Sequence, residues 1–226
     1  MRKWEKLPEN MRTDEVRPYY EFLAQHKGAL IGKRTLDILF SCLLFVVLLP
    51  FMLIIGILIG TTSRGGVFFL QERVTTYGRH FRIIKFRTMV ADAEKKGSQV
   101  TTEGDSRVTG VGRFLRKVRL DELPQLINII KGDMSIVGTR PEVPRYVACY
   151  TPEMFATLLL PAGVTSRASI EYKDEDRLLM QGTDVDRIYV EQVLPEKMKY
   201  NLDYILEFSL GKDLLLMVQT VLAVWR

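Results

Sequence analysis

Residues 36–60 hold 25 positions and a single charge, Asp37, near the start of the run. Wound as an α-helix this stretch reaches roughly 37 Å, enough to cross a hydrocarbon layer of about 30 Å, and a transmembrane span is the default expectation. Two features disturb it. Pro50 falls mid-run, where it removes a helix hydrogen bond and favours a kink. Both flanks are basic, with Lys33 and Arg34 before the run and Arg64 and Arg73 after it. The tendency of basic flanks to stay in the cytoplasm suits a bent, re-entrant helix and not a straight span. From these residues alone, re-entry and spanning stay open, and a buried core helix is the third alternative.

The remainder suits one compact domain, since 226 residues are too few for two large ones. Residues 1–32 mix charges with Trp4, Tyr19, Tyr20 and Phe22 and read as a leader or an interfacial segment. A cleaved signal is not expected, because the apolar run lies far from the start. The net charge of +5 and pI near 9.2 imply an anionic partner: nucleic acid, a phosphorylated substrate or an anionic bilayer. Two distant cysteines, Cys42 and Cys149, offer neither a disulfide framework nor a zinc knuckle. With His26 and His80 the only histidines, a histidine metal site or a Ser-His-Asp triad is not expected.

Beyond residue 62 the patterns are those of a small α/β domain, mixed and helix-rich. Residues 67–70 and 81–87 read as strands, with turns at Gly78 and Gly104. Residues 111–118 have helical spacing, with Arg113, Arg116, Lys117 and Arg119 around them, and lead into Asp121-Glu122. Pro124 suits a first helical turn, so residues 123–130 read as a short helix with the two carboxylates at its positive end. Taken alone, such acids are helix caps. Cations crowded beside them are also what binding a phosphate or diphosphate requires. Further on, a short strand leads to a turn bounded by Pro141 and Pro144 that projects Arg140. Residues 161–165 form a turn into another strand, 172–186 a charged loop or exposed helix, and 197–208 and 213–225 two helices. The last has the apolar content and terminal Trp225-Arg226 of an interfacial helix, although packing on the domain explains the same stripe.

The order of motifs resembles the monotopic phosphoglycosyl transferases, the bacterial sugar transferase family. It is carried by Asp37, the apolar run with Pro50, Val67-Phe68-Phe69, Gln71-Glu72-Arg73, Lys85-Phe86-Arg87-Thr88-Met89 and Gly112-Arg113-Phe114-Leu115-Arg116. Leu120-Asp121-Glu122-Leu123-Pro124-Gln125, Gly132-Asp133-Met134-Ser135 and Arg140-Pro141 complete it, from residue 33 to about 225. The resemblance implies a re-entrant helix over 33–62 and a cytoplasmic catalytic domain over 63–226, on the bacterial inner membrane. It further implies transfer of a sugar 1-phosphate from a UDP-sugar to polyprenyl phosphate with release of UMP, the first membrane step of glycan assembly. Asp121 is then the nucleophile, passing through an aspartyl phosphosugar, and its ionised state at neutral pH is expected from the helix end and the arginines beside it. Glu122 positions or deprotonates the acceptor phosphate. Mg²⁺ is expected on Asp121, and phosphate contacts from Lys85, Arg116 and Arg140, then Arg87, Arg113 and Arg119.

Three departures from the family pattern stand out. Leu49-Pro50 replaces Ser-Pro, and Gly138-Thr139-Arg140-Pro141 replaces Gly-Pro-Arg-Pro. After Pro161, the sequences Ala162-Gly163-Val164-Thr165-Ser166 and Glu171-Tyr172-Lys173-Asp174 replace a Gly-Ile-Thr-Gly turn and an Asn-Gly-Arg-Asn stretch, which bears on sugar specificity. Membrane lipids are expected partners, nucleic acid is not, and self-association stays open. The alternative is a catalytically silent scaffold for glycan assembly, which UMP release would separate from an enzyme.

Overall fold

The computed structural model describes residues 1–63, 65–90, 93, 105–172 and 185–224. Arg64, the turn expected at Gly104, most of the charged stretch 172–186 and Trp225-Arg226 lie outside them. The mixed, helix-rich α/β character expected from the patterns is present, with one long apolar helix.

Short 3₁₀ turns at Trp4–Lys6 and Glu9–Met11 precede α1 (Arg17–Gln25). Their Leu7, Met11, Val16, Tyr19 and Leu23 are buried in the largest apolar cluster of the domain, alongside Tyr146, Leu159, Val193 and Ile205. The segment read as a leader or an interfacial segment contributes these residues to the core, and Tyr19 fixes it further by donating to Glu153 at 2.7 Å. At Lys27 the long helix α2 begins and runs to Thr62, with Pro50 inside. Most of its apolar run faces outward, including Leu43, Val46, Phe51, Ile54 and Ile57.

Only a narrow stripe of α2 meets the domain, on both sides of Pro50. Before it, the Arg34 guanidinium donates to the carbonyls of Ile129 and Ile130 at 2.8 and 3.1 Å. Asp37, the lone charge of the run, accepts from Ser135 Oγ at 2.7 Å and from the Ile136 amide at 3.0 Å. After it, Met52, Ile55 and Ile59 pack with Phe86 and Leu115. The charge that looked out of place in an apolar run thus serves as a buried acceptor that seats the helix.

Strands β1 (Phe68–Thr75) and β2 (Arg79–Phe86) form an antiparallel hairpin. Its turn holds Tyr77 and Gly78 at positive φ, 58° and 74°. Helix α3 (Gly110–Lys117) follows, then a 3₁₀ turn at Leu120–Glu122 and α4 (Gln125–Lys131). Pro124 precedes the first helical residue of α4, and Gly132 ends the helix in the left-handed region at φ 89°. Strand β3 (Met134–Val137) pairs in parallel with β4 (Ala162–Thr165), with α5 (Pro144–Val147) in the crossover. Gly138 and Gly163 let the two chains touch: a Cβ on Gly163 would stand 2.2 Å from the Gly138 nitrogen. Helix α6 (Arg167–Glu171) follows β4. After it, α7 (Val185–Ile188) passes through one π-helical stretch into α8 (Leu194–Leu206), and α9 (Leu210–Val224) closes the described chain. A buried Lys33–Asp213 pair at 2.5 Å, with Tyr204 donating to Asp213 at 2.7 Å, ties α9 to the root of α2.

Candidate active site

The carboxylate pair sits on the 3₁₀ turn between α3 and α4, and its position is set by residues on either side. Arg119 holds φ 54°, a left-handed conformation unusual for a residue with a side chain, and it turns the chain sharply out of α3. Thr109 caps α3 by accepting from the Gly112 amide at 2.9 Å. Gly112 must be glycine, because a Cβ there would lie 2.1 Å from the Thr88 carbonyl oxygen. That close approach lays α3 on the end of β2. One helical turn later, Arg116 therefore reaches Thr88 and donates from Nε to its Oγ1 at 3.0 Å.

Glu122 lies at the centre of the site. Lys85 Nζ donates to its Oε1 at 3.0 Å, and Arg140 grips both carboxylate oxygens. The Glu122 side chain is 10 % exposed, Lys85 18 % and Arg140 30 %. Burial pushes the Glu122 carboxyl up, but Arg140 and Lys85 together outweigh it and hold the group well below the usual carboxylate range. So strongly acidic a group is a poor proton acceptor. What this geometry gives Glu122 is a clamp on the two cations, and a group so acidic is ill suited to deprotonate the acceptor phosphate.

Asp121 behaves in the opposite way. It is 8 % exposed, and burial raises its pKa above the ordinary aspartate value; Lys85, Arg116 and Arg140 oppose that rise, and the neighbouring Glu122 adds to it. The expectation that arginines and a helix end decide its ionisation thus meets a larger opposing effect in burial. Two adjacent carboxylates in one cluster of cations are driven apart, one held strongly acidic and the other raised above the ordinary aspartate value. Such divergence is characteristic of groups set different chemical tasks.

Of the residues named from the sequence, the structure brings Lys85, Arg116, Arg140, Asp121 and Glu122 together. Arg113 points outward from α3, and Arg119 is exposed at the turn itself. Arg87 lies elsewhere, against the loop after α2, where a Cβ on Gly65 would fall 1.8 Å from its Nη1. Two contributors were given no role at the site from the sequence. Thr88 carries Arg116, and Arg73 donates to the Pro141 carbonyl at 2.9 Å, bracing the turn that presents Arg140. Behind that turn, Glu142 accepts from Tyr189 at 2.5 Å and Lys197 lies 3.3 Å from the same phenol oxygen. Arg73 and Thr88 both lie inside motifs of the resemblance, the one signal that could have singled them out. Thr139, the departure before Arg140, keeps a structural role, its carbonyl accepting from the Gly163 amide at 2.8 Å.

Among the described residues no group of three or more His, Cys, Asp or Glu side chains could hold a metal alone. Among the described residues Asp121 holds no ion pair like that of Glu122, and its carboxylate could hold one Mg²⁺ whose shell phosphate oxygens and water would complete.

An exopolysaccharide production protein, ExoY, of Sinorhizobium fredii is 31 % identical over 223 residues, covering 90 % of this chain and 92 % of that protein. A UDP-glucose:undecaprenyl-phosphate glucose-1-phosphate transferase of Caulobacter vibrioides is 34 % identical over 194 residues, 84 % of this chain and 68 % of that one. An Aeromonas hydrophila protein named UDP-N-acetylgalactosamine-undecaprenyl-phosphate N-acetylgalactosaminephosphotransferase is 37 % identical over 193 residues, 84 % of this chain. The match spans 42 % of that longer relative. The profile of the bacterial sugar transferases matches residues 28–226, and the chain belongs to that family.

Proposed function

We propose that the protein transfers a sugar 1-phosphate from a UDP-sugar to undecaprenyl phosphate and releases UMP, as a membrane enzyme on the cytoplasmic face of the bacterial inner membrane. The observation that carries this reading is the divergent carboxylate pair, a buried Asp121 beside a Glu122 clamped between Lys85 and Arg140. The names of the relatives, which specify undecaprenyl phosphate and a sugar phosphate, support it.

In the first step an Asp121 carboxylate oxygen attacks the β-phosphorus of the UDP-sugar. The new O–P bond forms as the bond to the bridging oxygen breaks, and UMP leaves with the electron pair. In the second, an oxygen of the acceptor phosphate attacks the same phosphorus and frees Asp121, leaving the sugar on a lipid diphosphate. Lys85, Arg116 and Arg140 supply positive charge where the phosphoryl oxygens gather, in a buried setting where that charge acts strongly. Glu122 keeps Lys85 and Arg140 converged and leaves the nucleophilic role to its neighbour. Asp121 is the residue that would hold Mg²⁺, which when bound would neutralise the charge shared by nucleophile and substrate.

The re-entrant placement of α2 has physical support. Its stretches before and after Pro50 both pack on one polar domain, through Arg34 and Asp37 on one side and Met52, Ile55 and Ile59 on the other. A straight span would carry one of those contacts, with the domain attached, into hydrocarbon. Labelling of cysteines introduced at positions 30 and 65 should find both on the cytoplasmic side; opposite sides would rule out re-entry.

The enzymatic reading is tested by giving the detergent-solubilised protein undecaprenyl phosphate and a panel of UDP-sugars with Mg²⁺. UMP release with one donor, abolished by EDTA, is expected. Silence across the panel would favour a scaffold. The relatives differ in donor, glucose for one and N-acetylgalactosamine for another, so the panel also identifies the sugar.

A further inference from the structure

A cavity of about 870 Å³ opens beside Glu122 and extends between the 3₁₀ turn, β4, α6 and the end of α9. Its size is that of a site for a whole organic ligand. Leu120, Leu123, Leu126, Val164, Ile170 and Leu222 provide most of its wall. The hydroxyls that also line it are turned to internal use. Thr220 donates to the Leu216 carbonyl at 2.7 Å, which leaves Thr165 to donate to Thr220 across 2.7 Å. Ser169 is paired with Ser166 at 2.8 Å. Apart from Glu122, Arg119 and Gln219 the lining therefore presents hydrocarbon to whatever enters, and a nucleoside or sugar, whose edges need hydrogen bonds in a buried site, would find few there.

The lining combines charge with hydrocarbon in a way that names its occupant. Glu122, bound by Lys85 and Arg140, and the exposed Arg119 belong to it. So does α9, a helix that also exposes Leu214, Leu215, Val218 and Val221. Charge beside the phosphoryl cluster and apolar walls shared with a helix rich in exposed apolar residues fit an amphiphile with an anionic head and a long hydrocarbon tail. The geometry points to this cavity as the seat of the acceptor lipid, its phosphate beside Arg119 and its first isoprene units between α4 and α9. The inference rests on the reading of the acceptor as a polyprenyl phosphate and assigns α9 a role in acceptor recognition. It leaves the polar donor to approach Asp121 from outside the cavity.

The test uses the full-length protein in detergent micelles with Ala223→Trp, a substitution that adds bulk at a lining residue of α9 and removes no member of the charged cluster. The KM for undecaprenyl phosphate should rise about tenfold, the value of one to two buried methylenes lost from the tail. The KM for the UDP-sugar, and the burst of UMP released without acceptor, should stay at wild-type values. A rise in the donor KM, or no change in either, overturns the assignment. If the variant fails to fold, wild-type protein is photolysed with a polyprenyl phosphate carrying a diazirine in its first isoprene unit. Adducts within residues 118–126, 164–170 or 219–223 support the assignment, and adducts confined to α2 overturn it. Absence of the UMP burst from wild-type protein with every donor would instead indict the proposed reaction, so the two failures are distinct.

Discussion

Replacing Glu122 by Gln keeps the shape of the side chain and removes its charge, leaving Lys85 and Arg140 facing each other without their shared counter-ion. Breaking a buried pair by neutralising one partner costs about 3–5 kcal/mol, much of it the uncompensated charge left behind. Arg140 is 30 % exposed, so water relieves part of that cost and the lower end, about 3 kcal/mol, applies. For a chain of this size each kcal/mol moves the melting temperature by about 2–4 °C, so Glu122→Gln should melt about 6–12 °C below wild type. Differential scanning fluorimetry of the solubilised protein reads this directly. Adding Lys85→Met removes one stranded cation, and the double variant should lose at least about 1 kcal/mol less than the two single losses summed. The sign with pH is fixed as well. The Glu122 pKa is depressed in the fold, so its contribution is present above the unfolded value near 4.5 and fades only as pH falls toward the much lower folded value. The gap between variant and wild type should therefore persist at pH 5. A melting temperature within about 2 °C of wild type, or strictly additive single losses, would refute the clamp.

Asp121 gives the reverse sign. Its pKa is raised in the fold, so at neutral pH the ionised group costs stability, and Asp121→Asn should melt above wild type while losing activity. The same shift should place the acid limb of the kcat/KM profile above the ordinary aspartate value of 3.8, and Lys85→Met, which removes a charge favouring the carboxylate, should move that limb further toward neutrality. Asp213→Asn strands Lys33 in a site where both side chains are under 10 % exposed, and a loss of about 3 kcal/mol or more should appear as a lower melting temperature.

What could be read from the chain followed the range of the interactions responsible. The long apolar helix, the hairpin around Gly78 and the helix led by Pro124 announce themselves within a few residues, because periodicity, positive φ and the missing proline N–H are local causes. Lys85 and Arg140 were named from the sequence for phosphate contact, and only the fold shows that both close on Glu122. The burial that sets Asp121 against Glu122 has no local signature; it depends on α3 being laid on β2 through Gly112. The same holds for the Lys33–Asp213 tie, whose partners stand 180 residues apart. The N-terminal segment is a different case. Leu7, Met11, Val16, Tyr19 and Leu23 recur at near-helical intervals, a signal that its dense charges obscured.

In the proposed reaction the Asp121 carboxylate carries the sugar phosphate. Wild-type protein mixed with its UDP-sugar and Mg²⁺, with no lipid acceptor, should release UMP up to one equivalent and gain the mass of a sugar phosphate on the peptide containing Asp121. Undecaprenyl phosphate should then discharge that adduct. UMP release that waits for the acceptor, an adduct on another residue, or undiminished turnover by Asp121→Asn would contradict it.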